Sequence, residues 1–307
     1  MIDMNNLLNC MGTLFLLLAV GFLCNKVGIL TPANNKLLSR LVVNVTLPAT
    51  LLNAVVGTSV DIHSPEAKQL FGAIALYYSV LAILAFFISR AIAARHPDRG
   101  VYQYMCMFSN TGFLGIPLIT AMFGQEALFH VALFNIPFNI LAFTYGIAMI
   151  RGKREGEKTS LKKVLTPPTV ASFVALILFL MGVTFPKAID DAVSYVGGVT
   201  VPCAMMVVGA SLATIPAGKV WKDWRMYVVG GYTLLLRPVI IWALASLFVT
   251  DPLVLGVTVI LASVPVGANT TSLCIQYDAN ETLSSCSIFI TTALSMLTIP
   301  VVALVLL

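Results

Sequence analysis

Ten windows of apolar residues, each long enough to cross a bilayer as a helix, run through this 307-residue chain. They fall at about 7–25, 37–57, 70–92, 101–123, 127–150, 165–184, 191–213, 225–248, 252–276 and 281–305. Roughly 20 apolar residues span a ~30 Å hydrocarbon core as a helix. Lipid offers the backbone no hydrogen-bond partner, so helices satisfy themselves where other structures cannot. Composition agrees: 59% of residues are hydrophobic and 10% charged, with a mean hydropathy of +0.95. An ordinary soluble domain carries about 25% charged residues. The expected fold class is therefore an all-α integral membrane protein with ten transmembrane helices. The first apolar run lacks a basic leader and a small-residue cleavage site, so it reads as a span rather than a signal peptide.

The basic residues test this count. With the N-terminus outside, 15 of the 18 lie in loops and helix ends on one side, from Lys26, Lys36 and Arg40 onward. Lys68 and Lys187 lie on the other side, and Arg237 falls within span 8. The positive-inside rule makes the basic side cytoplasmic, which puts both termini outside a cell (inner) membrane. The net charge of +5 then faces cytoplasm and anionic lipid, and implies no nucleic-acid partner. Six cysteines lie in or beside apolar spans, with no CxxC pair. His63, His96 and His130 sit at span ends or in loops without zinc-ligand spacing, so no metal site or cofactor is expected.

Two segments repeat in order. Val27–Pro32 after span 1 resembles Met181–Pro186 after span 6, and Val45-Thr46-Leu47-Pro48 matches Val199-Thr200-Val201-Pro202 at the same offset of 154 residues. Val55–Ser59 resembles Val207–Ser211 with a two-residue slip. This predicts two five-helix halves, 1–150 and 164–307, joined by a basic cytoplasmic loop at 151–163. Because five is odd, the second half enters the membrane inverted, a common construction of secondary transporters.

Spans 4 and 9 carry polar, Gly- and Pro-containing runs near mid-depth: Ser109-Asn110-Thr111-Gly112-Phe113-Leu114-Gly115-Ile116-Pro117 and Ser263-Val264-Pro265-Val266-Gly267-Ala268-Asn269-Thr270-Thr271. Proline removes a backbone donor and glycine weakens a helix, so both spans are expected to break there. The half-helix N-termini so formed expose N–H donors and partial positive charge, which suits an anion. Candidate substrate-binding residues are Asn110, Thr111, Gly112, Pro117, Pro265, Gly267, Asn269 and Thr270. Asn139, four residues after Asn135 on the same helical face, joins them. Arg237 has no acidic partner at its depth, so it either pairs with a carboxylate substrate or caps helix carbonyls.

The runs SNTGFLGIPL (109–118), ASVPVGA (262–268), QYDAN (276–280) and LSMLTIP (294–300) resemble the auxin efflux carrier family over essentially the whole chain. The resemblance implies crossing broken helices in spans 4 and 9, a scaffold from spans 1, 2, 6 and 7, and a transport domain from spans 3–5 and 8–10. It implies organic-anion transport by an elevator-type motion and a homodimer formed through the scaffold. The family's crossover Asn matches Asn110 and its span 9 Pro matches Pro265. The long central loop of plant members shrinks here to 151–163, and Val266 stands where they have Gln. A small carboxylate such as malonate or malate is therefore expected over auxin.

Two other readings stay open: a sodium-coupled bile-acid-type symporter, and a membrane sensor that binds without net flux. No buried Asp, Glu or His relay suggests proton coupling, whereas unwound carbonyls and Asn or Thr oxygens can bind sodium. An enzyme is not expected, since no acid dyad, Ser–His pair or metal set lies at depth.

Overall fold

A computed structural model describes residues 4–53, 64–93, 97–124, 126–151, 167–214 and 223–307. The 55–59 run, His63, His96 and nearly all of the 151–163 loop lie outside the described residues. Among the described residues every regular element is helical, apart from one isolated antiparallel bridge.

Helix α1 (Met4–Lys26) ends at Gly28, whose φ of +82° suits a residue without a Cβ. Thr31 caps α2 (Pro32–Leu41), accepting from the Asn34 N–H with Pro32 in the first turn. A π turn at Val42–Thr46 carries the helix on into α3 (Leu47–Asn53). Helix α4 (Pro65–Ala93) is the longest. Span 4 consists of α5 (Arg99–Met107), an interruption, a π turn at Thr111–Gly115 and α6 (Ile116–Phe123). Span 5 is α7 (Ala127–Leu141), a π turn at Ala142–Gly146 and α8 (Ile147–Arg151).

From residue 167 the described chain continues through further helices. Helix α9 (Pro167–Leu180) ends at Gly182, again at positive φ (+61°). Next come α10 (Lys187–Gly198) and α11 (Thr200–Ala213), then α12 (Trp224–Gly231), a π turn at Tyr232–Leu236, and α13 (Arg237–Ala245). Helix α14 (Pro252–Ser263), an interruption, α15 (Asn269–Gln276) and α16 (Glu281–Leu306) complete the chain. Gly28 and Gly182 are members of the sequence repeat, and they share both position and backbone conformation.

Three of the π turns have one cause. Pro48, Pro117 and Pro238 each stand two residues after such a turn. Each proline lacks an N–H and crowds the carbonyl four residues back, which lies inside the turn. Widening the turn relieves that crowding without ending the helix.

Five continuous helical segments are long and apolar enough to cross a membrane: Pro65–Ala93, Ala127–Arg151, Lys187–Ala213, Trp224–Ala245 and Glu281–Leu306. Shorter apolar helices are Gly12–Lys26, Thr111–Phe123 and Pro252–Ser263. Helices α1 and α11 pack backbone to backbone. A Cβ on Gly21 would lie 2.2 Å from the Met206 carbonyl oxygen, and one on Gly209 1.9 Å from that of Leu18. Helix α3 packs on α9 and α10, and the Thr50 hydroxyl meets the Gly197 carbonyl of α10 at 3.0 Å and the hydroxyl of Thr200, at the start of α11, at 2.8 Å. The remaining helices surround the two interrupted spans, and their buried side chains form most of the core.

Candidate functional site

The two interrupted spans meet at their breaks. Phe108 and Val264 leave their helices in extended conformation, and Ser109 pairs with Val266 as an antiparallel bridge. The Asn110 N–H donates to the Pro265 carbonyl at 2.8 Å, and the Gly267 N–H donates to the Phe108 carbonyl at 3.1 Å. The crossing is thus a two-strand pairing buried among helices, which satisfies groups that lipid could not. Gly267 is required by this approach. A Cβ there would lie 2.7 Å from Asn269 Oδ1, 3.1 Å from the Ser109 carbonyl oxygen and 3.3 Å from that of Phe108.

Downstream of the pairing each chain restarts a helix. The Asn110 carbonyl accepts from the Leu114 and Gly115 N–H groups at 3.2 and 2.9 Å. The Gly267 carbonyl accepts from the Thr270 N–H at 3.0 Å and its hydroxyl at 2.7 Å. The first N–H groups of a helix lack intrahelical acceptors, so two donor-rich helix starts leave the crossing. Asn110 is 3% exposed, and its side-chain Nδ2 has no partner among the described residues. Asn269 Nδ2 donates to the Tyr104 hydroxyl at 3.1 Å.

Arg237 lies behind the α14 break, fully buried. Its Nε donates to the Ala262 carbonyl at 2.7 Å and its Nη2 to that of Val264 at 2.6 Å. Of the two roles left open by the sequence, capping of helix carbonyls is the one these contacts perform. The guanidinium complements the negative end of the α14 dipole. Its Nη1 makes no hydrogen bond among the described residues.

The proline positions differ from expectation. Pro265 stands in the break itself, but Pro117 does not interrupt span 4. The interruption falls upstream at 108–110, and Pro117 is buried in the first turn of α6, its strain taken up by the π turn. Thr111 donates to Asn135 Oδ1 at 3.4 Å, and Asn139 Nδ2 donates back to the Asn135 carbonyl at 2.8 Å. The Asn pair thus stands beside the start of the α6 half of span 4. Gly112 faces Leu47 of α3, with 3.7 Å between a built Cβ and a Leu47 methyl.

Beside the crossing opens a cavity of about 610 Å³. One wall is α2 and the end of α11, with Asn35, Lys36, Ser39 and Ser211. The other is α15 and α16, with Asn269, Thr271 and Ser285, while Phe113 contributes from span 4. Of the candidate residues drawn from sequence, Asn269 alone lines it. The other candidate residues do not line it.

A family profile described as "membrane transport protein" matches residues 8–303. The chain belongs to the auxin efflux carrier family. It is a multi-pass membrane protein of a transport family. An uncharacterised transporter of Methanocaldococcus jannaschii is 28% identical over 293 residues, covering 92% of this chain and 94% of the relative. One of Methanothermobacter thermautotrophicus is 25% identical, with 96% of each chain covered. A Rhizobium meliloti protein whose name proposes malonate as its cargo is 26% identical, covering 85% of this chain and 84% of its own length.

Sequence reasoning missed the α2 wall. Lys36 had been counted only as a loop-side positive charge. The available signal was that Asn35, Lys36 and Ser39 recur at helical spacing at the basic end of the chain's second helix. Tyr104 was also missed, because a tyrosine in an apolar window looks like core until its partner Asn269 is placed.

Proposed function

We propose that this protein is a secondary transporter of a small organic anion, a malonate- or malate-like carboxylate, working by elevator-type alternating access. The observation that carries the reading is the cavity. It reaches the crossing at Asn269 between helices assigned to the scaffold (α2, α11) and helices assigned to the transport domain (α15, α16). A substrate there touches both bodies, as an anion carried by one past the other would. At the cavity the start of α15 with Asn269 supplies hydrogen bonds to an anion, and the buried Asn110 amide, which does not line the cavity, is a further donor without a partner among the described residues. The malonate name of the Rhizobium meliloti relative supports the carboxylate class.

In this reading the chain crosses the membrane ten times, in two inverted halves, 1–150 and 164–307. Spans 1, 2, 6 and 7 form the scaffold and a homodimer contact, and both termini lie outside the cell. The cavity then faces the cytoplasm. Asn110, Thr111, Gly112, Gly267, Asn269 and Thr270 bind substrate, with Pro117, Pro265 and Asn139 shaping the site. Arg237 lends positive potential from behind the break.

The test is uptake of labelled malonate, malate and indole-3-acetate into proteoliposomes, with and without sodium and proton gradients. Saturable carboxylate uptake is expected, lost in Asn110→Ala. Uptake that needs sodium would move the protein to the bile-acid-type symporter reading. Binding without flux would make it a sensor.

A further inference from the structure

The cavity has two unlike polar walls, and among the described residues Lys36 is its only charged lining residue and no carboxylate lines it. Ala268 and Asn269, which line the same cavity as Lys36, stand at the start of α15, a neutral donor end of the kind that accepts one carboxylate.

Lys36 also differs from the other basic residues near it. The Lys26 ammonium donates to the Ala213 carbonyl at 3.1 Å and lies over the Phe22 ring, so its charge serves packing. Arg40, one turn further along α2, does not line the cavity. Lys36 makes no ion pair among the described residues. Its backbone is held in place by its neighbour. Asn35 Nδ2 donates to Ser211 Oγ at 2.9 Å and to the Val207 carbonyl at 3.3 Å, fastening α2 to α11. Lys36 is itself exposed on this wall, so its ammonium is free to meet an anion that enters the cavity.

Resting on the proposed anion transport, we infer that Lys36 is a specificity-determining residue: it receives the second carboxylate of a dianionic substrate whose first carboxylate is held at the α15 wall by Asn269. The substrate class is then a short dicarboxylate. A monocarboxylate satisfies the α15 wall and leaves Lys36 to water, losing the charge-assisted hydrogen bond that separates the two classes.

The experiment compares malonate with malonamate, its half-amide, which has nearly the same shape and one carboxylate fewer. Binding to the purified full chain is measured by calorimetry, and labelled malonate uptake is measured in proteoliposomes. Wild type is expected to prefer malonate by about tenfold or more. Lys36→Gln is expected to erase that preference by weakening malonate, leaving malonamate within about twofold, while Lys36→Arg keeps it. Arg40→Gln, which removes a charge from the same helix outside the cavity, is expected to keep it too. A preference that survives in Lys36→Gln overturns the assignment, as does one lost equally in Arg40→Gln. Wild type that neither binds nor moves malonate overturns the transport reading, and this inference with it. Size-exclusion profiles of each variant, with Lys36→Met as a second neutral replacement, separate loss of recognition from loss of fold.

Discussion

The two helix interruptions look alike in sequence but are held in different ways. At the α14 break, side chains from three surrounding helices hold the backbone. Tyr77 of α4 donates to the Leu261 carbonyl at 3.1 Å, and Arg237 of α13 donates to the Ala262 and Val264 carbonyls. Thr291 of α16 accepts from the Val266 N–H at 3.3 Å. At the α5 break, the 108–110 backbone is held by backbone partners, from its own chain and from the crossing strand. The Asn110 side chain there keeps its Nδ2 without a partner among the described residues. One break is thus fastened to its surroundings, and the other keeps polar groups in reserve. A fastened break supplies rigidity, and unpaired donors supply affinity. The proposed division is that the α14 break sets the geometry and the α5 break binds.

The largest expected effect tests the fastened side. Arg237→Ala removes two hydrogen bonds from a charged group and orphans two buried carbonyls. At about 1.5–3 kcal/mol per charged hydrogen bond, stability should fall by roughly 3 kcal/mol or more. Unfolding of the detergent-solubilised protein would report it. Full stability with lost binding would instead make Arg237 a ligand group and reverse the comparison.

Glycines at the two breaks sharpen the contrast. The Cβ of Gly267→Ala would meet two backbone carbonyl oxygens at 3.1 and 3.3 Å, neither free to move without breaking the strand pairing. The Cβ of Gly115→Ala would meet a Leu261 methyl at 3.1 Å, which a rotamer change can yield. Uptake should be nearly abolished in the first variant and mildly reduced in the second. Equal loss in both would mean that the pairing does not matter to transport.

On the α5 side, Asn110→Ala should weaken malonate binding by about tenfold, roughly 1.4 kcal/mol, while the unfolding midpoint barely moves. An amide that already lacks a partner contributes little to the fold, so its loss should show only when ligand is present. If Asn110→Ala unfolds as readily as Arg237→Ala, the groups in reserve are structural after all.

Much of this arrangement was legible in the residues. The apolar windows anticipate an all-helical chain with several helices long and apolar enough to cross a membrane, and the two matched runs contain Gly28 and Gly182, which both adopt positive φ. The polar runs located both interruptions to within a few residues. What escaped was which residue does the breaking. Proline chemistry suggested Pro117, but a π turn accommodates it, and the real break at 108–110 depends on a partner strand some 157 residues away in the chain. Local sequence contains no record of that partner. The same holds for Lys36, whose position counts only because α11 and α15 form the rest of the cavity.

The smallest expected effect probes one tie of the fastened break. Thr291→Val keeps the side-chain volume but takes away the acceptor for the Val266 N–H, at 3.3 Å a long hydrogen bond. The hydroxyl's other bond, 2.7 Å to the Ser287 carbonyl within α16, is lost too, but that carbonyl sits in an intact helix. A net cost of about 1 kcal/mol is expected, with malonate affinity unchanged. Because Arg237, Tyr77 and Thr291 all hold the one short segment 261–266, combining Thr291→Val with Arg237→Lys should cost more than the sum of the two. Neighbouring ties that share one segment are coupled in this way. Simple additivity would mean that the α14 break is held by separate contacts rather than as a unit, which would weaken the claim that it sets the geometry of the crossing.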